Sequence, residues 1–300
     1  MDFKVIYDKI ASFGPCWYIQ THKMFGDTLH GSIVVAHYCK TKPGGISVVW
    51  GISERYIHEY DEFIVCNKLS LPHNMSMEER VNLIKAAEKL PNVKKAIRVL
   101  VGEWGWNTAG SISDNMFFNA GIHKLSVPRT PMLPVGIQDY SWSDQIMWKY
   151  CLDKTKYGVL EYNSYSLSGP PHNAIRSVDW YNEMLSKVVF PIVYTGGLND
   201  PQLKFGIDLR GCTFRQAKVM IMRSKLMVGC GSGLTMVACS DSVSVPVLEL
   251  GIGPSISMAG CGYSNNSMVI GNKDPKLVAD TINKIIDGGL KSQPSNIRKR

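Results

Sequence analysis

The chain has 300 residues, 45% of them hydrophobic and 19% charged, with a formal net charge of +8. That length fills one large domain or two of ordinary size, and the balance excludes a disordered or fibrous chain. No apolar run reaches the length of a membrane span. The opening Met1-Asp-Phe-Lys carries charges where an export signal needs an apolar core, so none is expected.

Eight cysteines are present and none falls in a Cys-x-x-Cys pair. They read as free thiols of a reducing compartment, which places the chain in the cytoplasm and argues against a structural zinc site. The positive charge suits an anionic partner: a nucleotide, a phosphorylated glycan, a membrane surface or nucleic acid. A basic surface that is merely solvated accounts for it equally well.

In chain order, a lead-in helix precedes a strand at 16–20. Gly26 breaks the pattern, and a helix is expected from about Thr28 with Leu29, Ile33 and Ala36 on one face. Asp27 then stands at the N-cap, with His30 three residues on. Strands are expected at 45–51, 63–66 and 96–101. A helix at 77–90 shows Val81, Ile84, Ala87 and Leu90 at helical spacing. Strand alternating with helix is the signature of an open parallel α/β sheet. Residues 102–139, rich in Gly, Asn, Ser, Pro and aromatics, break the rhythm; they read as the wall of a pocket or as a partly helical packing segment.

A second α/β unit starts near 155: a strand at 157–163, a helix at 178–186, a strand at 188–194 and a helix at 214–224. A strand at 226–228 leads into Gly229-Cys-Gly-Ser-Gly233, then a helix at 234–239 and a strand at 245–250. The chain closes with a strand at 268–270 and a helix at 274–287. A glycine turn between strand and helix lets backbone approach a ligand and aims free N–H groups at a phosphate. The same turn also serves simple helix–sheet packing.

Two stretches together resemble the heptosyltransferase-type family of inverting GT-B glycosyltransferases. One is Phe25-Gly-Asp-Thr-Leu-His30, similar to that family's Gly-Asp-x-Leu motif. The other runs from Tyr194-Thr-Gly-Gly through Asp208-Leu-Arg-Gly and Gly231-Ser-Gly-Leu-Thr235 to Gly251-Ile-Gly-Pro254. The resemblance implies an α/β fold of two facing Rossmann-like domains, 1–155 on the acceptor side and 156–300 binding a nucleotide sugar. It implies Asp27 as general base, with His30, Trp104 and Trp106 toward the acceptor. Arg176, Gly196, Gly197, Asp200, Ser232, Gly233, Leu234 and Thr235 would hold the donor. Asp27 as an ordinary cap, His30 as a packing residue and Arg176 as a surface arginine are the structural alternatives. Gly231 replaces the family's acidic residue and Met236 its histidine.

The implied reaction moves a sugar to a hydroxyl of an anionic or lipopolysaccharide-type glycan, with no metal or other cofactor and with peripheral membrane contact allowed. A phage-type DNA glycosyltransferase acting on a hydroxymethylated base is the second reading. A nucleotide-binding module without catalysis is the third.

Overall fold

The computed structural model describes residues 3–22, 25–63, 66–99, 112–162, 177–229, 233–250, 267–270 and 274–288. Its contacts divide the chain into two units, Met1–Pro134 and Val135–Arg300. Each is built round its own parallel sheet.

The first unit runs α1 (Phe3–Ser12), β1 (Cys16–Thr21), α2 (Phe25–Thr41), β2 (Ser47–Ser53), β3 (Asn67–Leu71), α3 (Met77–Ala87), β4 (Val93–Val99) and α4 (Ile112–Asn119). The strand order is β3-β2-β1-β4. The pleat of β1 sends alternate side chains to opposite faces. Cys16 and Tyr18 join Ile6, Ile10, Leu83 and Ala87 in a core with α1 and α3. Trp17 meets Tyr38 of α2 edge-on at 5.1 Å, and Thr21 lies against Gly31 of α2.

Helix α2 is buried nearly all round, as a helix must be when covered on both sides. The sheet takes one side and residues 120–132 run along it elsewhere. Ser126 N–H donates to His37 Nδ1 at 3.1 Å, Lys40 Nζ donates to the Ser126 carbonyl at 2.8 Å, and Met132 N–H donates to Ser32 Oγ at 2.8 Å. Part of the expected pocket wall therefore packs as a strap on α2; residues 100–111, with Trp104 and Trp106, lie outside the described residues.

Three local expectations are corrected here. Gly26 does not interrupt α2, which begins at Phe25 and carries Asp27 in its first turn rather than at the cap. The third strand is Asn67–Leu71, not 63–66; Phe63 instead joins Trp50 and Tyr60 in an aromatic cluster. On α3 the expected Ile84, Ala87 and Leu90 are buried, but Val81 is only half-buried, and Arg80 and Leu83 complete the buried face instead.

The second unit runs α5 (Ile137–Lys149), β5 (Gly158–Glu161), α6 (Val178–Leu185), β6 (Ile192–Thr195), β7 (Ile207–Asp208), α7 (Phe214–Arg223), β8 (Leu226–Gly229), α8 (Gly233–Val237), β9 (Val247–Leu250), β10 (Ser267–Ile270) and α9 (Pro275–Asp287). The strand order is β10-β9-β8-β5-β6-β7. In chain order that is 3-2-1-4-5-6 read from the β7 edge, the order of a doubly wound parallel α/β sheet. Tyr181 and Met184 of α6 and Val278, Ile282 and Ile286 of α9 pack on Leu160, Ile192, Val228 and Leu250. The expected strand at 188–194 narrows to Ile192–Thr195, because Pro191 has no N–H for the ladder.

Residues 135–155 group with the second unit. Arg215 of α7 donates to Asp139 of α5 through Nε at 2.8 Å and Nη2 at 2.6 Å. Arg223 donates to Ser143 Oγ at 3.0 Å and Asp144 Oδ1 at 2.6 Å.

A Cβ on Gly31 would overlap Thr21 Cγ2. Helix propensity alone favours Gly31→Ala by about 1 kcal/mol, but overpacking a closed interface costs about 1–3 kcal/mol. Gly31→Ala is expected to destabilise the first unit by roughly 1–2 kcal/mol in urea unfolding. Adding Thr21→Ser, which removes the offending methyl, should restore most of the loss.

Candidate active site

In open α/β sheets ligands bind beyond the carboxyl ends of strands where the strand order reverses. That place in the first unit is between β1 and β4. Asp27 is there, in the first turn of the helix that follows β1. Its Oδ2 lies 2.8 Å from Nδ1 of His22, the residue next after β1, with side-chain exposures of 12% and 17%. Sequence reading did not pick out His22; its only signal was a histidine at a strand end, five residues before the motif carboxylate.

Beneath this pair lies a buried polar network. Tyr18 OH donates to Gln20 Oε1 at 2.9 Å, and Gln20 Nε2 donates to the Arg80 carbonyl at 2.8 Å. The Arg80 side chain reaches the carbonyls of Thr21 at 3.4 Å and Pro72 at 2.9 Å, and its Nε has no partner. Arg80 is 1% exposed and forms no ion pair among the described residues. Burial lowers its pKa, and the charges of Asp27 and Glu79 oppose that fall. The guanidinium thus ties β1 to the exit of β3 and sets a fixed positive charge near Asp27.

His30 is 2% exposed inside α2. Burial, then the charge of Arg129, lowers its pKa to about 3. The ring is therefore neutral and buried.

In the second unit the reversal falls between β5 and β8. Ser232 lies outside the described residues, as does Arg176. Gly229 ends β8 and Gly233 opens α8. Leu234 and Thr235 turn inward, and Thr235 Oγ1 donates to Glu161 Oε2 of β5 at 2.5 Å. Glu161 is 4% exposed, a carboxylate in the otherwise apolar Val159-Leu160-Glu161 run that sequence reading passed over. A Cβ on Gly229 would overlap Thr235 Oγ1. Gly229 and Thr235 thus lie tightly against each other beside β5.

Gly196, Gly197 and Asp200 form one turn after β6. Asp200 Oδ2 accepts the Gly197 N–H at 2.7 Å and sits where a Cβ on Gly196 would point. Arg210 clamps the Asp208 carboxylate through Nε at 2.9 Å and Nη2 at 2.7 Å, and its Nη1 donates to the Asp200 carbonyl. Asp200 is 2% exposed, so its carboxylate serves its own loop. Among the described residues no three His, Cys, Asp or Glu group as metal ligands, and no helix is long and apolar enough to cross a membrane.

Two doubly wound sheets, each carrying its polar residues at the point of reversal, define a GT-B-type α/β fold. Solved structures share it. A glycosyl transferase family 9 protein from Veillonella parvula superposes with a TM-score of 0.65 at 12% identity, covering 93% of this chain and 92% of that one. The E. coli ADP-heptose lps heptosyltransferase II gives 0.62 at 15% identity, covering 91% and 99%. E. coli heptosyltransferase WaaC with ADP gives 0.55 at 12% identity, covering 92% and 100%. No family model matches the chain, and no curated protein matches it in sequence. The resemblance read from the motifs is thus met again in the fold.

The His30 shift has a sign that can be tested. The unfolded imidazole titrates near ~6.5 and the folded one at about 3. Between those values the unfolded chain holds the extra proton, so stability is lost as pH falls through that window. The slope from this group is up to about 1.4 kcal/mol per pH unit. Urea unfolding from pH 7 to 4 is expected to show a shallower loss in His30→Gln than in the wild type.

Proposed function

We propose that this chain is an inverting, metal-independent glycosyltransferase that moves a sugar from a nucleotide sugar to a hydroxyl of an anionic glycan. The observation that carries the reading is the Asp27 carboxylate, held by His22 at the carboxyl end of β1 in a GT-B fold. General acid–base catalysis needs such a group within reach of the acceptor hydroxyl. The second unit supplies the nucleotide-type sheet, with Arg176, Gly196, Gly197, Asp200, Ser232, Gly233, Leu234 and Thr235 as the donor side of the proposal. Asp200 and Thr235 act there by shaping backbone turns, since their side chains are bonded inward. His30, Trp104 and Trp106 stay on the acceptor side. The fold similarity to a protein described as an ADP-heptose lps heptosyltransferase, and to a heptosyltransferase solved with ADP, supports a nucleotide-sugar donor. The net charge of +8 supports an anionic acceptor.

A thermal-shift panel of ADP-, UDP-, GDP- and CMP-linked sugars tests the donor. One class should raise Tm, and the matching free nucleotide should compete. Asp27→Asn should lower turnover by about 10²–10⁴-fold while donor affinity stays within a few-fold of wild type. Absence of any binding nucleotide sugar, or full activity in Asp27→Asn, would overturn the reading.

A further inference from the structure

We propose that His22, rather than the Asp27 carboxylate itself, takes the proton from the attacking hydroxyl, and that Asp27 is the positioning residue that orients the ring. This rests on the transfer reading above and divides its base function between two residues.

The geometry gives the division. Asp27 Oδ2 and His22 Nδ1 are 2.8 Å apart. An ionised carboxylate can only accept hydrogen bonds, so the ring nitrogen facing it carries the hydrogen. The lone pair then lies on Nε2, on the ring edge turned away from Asp27. Neither side chain makes another hydrogen bond among the described residues. The carboxylate fixes tautomer and orientation, and the imidazole presents the basic atom.

Arg80 decides which of the two receives the proton. It is buried, no carboxylate is bonded to it among the described residues, and the Asp27 and Glu79 charges favour its charged form. Protonating Asp27 would leave a buried guanidinium with one counter-charge fewer, a costly state. Protonating His22 keeps the Asp27 anion and adds an ion pair to it. Negative charge in the first turn of α2 is favoured by the helix N-terminus as well.

The step balances. The hydroxyl proton passes to His22 Nε2 and the oxygen lone pair forms the new bond to the anomeric carbon. The bond from that carbon to the diphosphate oxygen breaks, and its electron pair leaves on the diphosphate. The imidazolium stays paired with Asp27 until its exposed edge returns the proton to water.

Two measurements test this. The first needs no turnover. With imidazole-¹⁵N histidine, long-range ¹H–¹⁵N spectra of the seven histidines, assigned by loss of one set in His22→Gln, report each tautomer. His22 is expected in the Nδ1–H form and should lose that preference in Asp27→Asn. An Nε2–H ring, or one indifferent to Asp27→Asn, overturns the assignment.

The second measures nucleotide release, with water as acceptor, from the sugar nucleotide that binds in the panel. His22→Ala should fall about 10²–10⁴-fold, with donor binding retained. Added imidazoles should restore part of the rate, the more basic ones more, and should not rescue Asp27→Asn. Release in His22→Ala within tenfold of wild type, or no rescue, overturns the assignment. Failure of the transfer reading itself shows separately, as absence of nucleotide-sugar binding by the wild-type protein.

Discussion

The closeness of α2 to β1 is the constraint on which the first unit depends. Gly31 has no side chain where Thr21 sits, so the helix lies directly on the strand. That approach brings the first turn of α2, with Asp27, back over the end of β1, with His22. The strap at 120–132 covers the helix from another side, so the pair rests on an element with almost no freedom to tilt. Thr21 does two jobs: its methyl fills the glycine's vacancy and its Oγ1 donates to the Gly51 carbonyl of β2 at 3.2 Å.

The second unit repeats the device with the partners reversed. There the glycine is on the strand, Gly229, and the threonine on the helix, Thr235. Again the threonine fills the missing Cβ and uses its hydroxyl to bind across, here to Glu161 on the neighbouring strand. Both contacts stand where strand order reverses, the position at which such sheets bind ligands. A side chain larger than hydrogen at either glycine would open the strand–helix corner.

Much of the chemistry that is local in structure was legible in the sequence. Helix α7 follows its capping box, Thr213 with Gln216, and its 3.6-residue stripe. The two-unit α/β plan followed from alternating strands and helices. What escaped notice depends on partners far along the chain. Arg80 reads as a surface residue of an amphipathic helix until β1, 60 residues earlier, shows a side chain bonded to its carbonyl. Glu161 acquires meaning only from Thr235, 74 residues later. The two-residue β7 is too short for any periodicity to register. His22 was missed for a different reason: its bond to Asp27 spans a turn, and turn geometry is not written in hydrophobic spacing.

The tie between α5 and α7 bears on how the protein can be dissected. Cutting after residue 155, where the sequence rhythm changes, would remove Asp139, Ser143 and Asp144 together. Arg215 and Arg223 would then lose their acids, and Met220 the Ser143 hydroxyl beside its sulfur. A half-molecule begun at residue 135 keeps those bonds, and is the fragment to express when the second unit is to be studied in isolation.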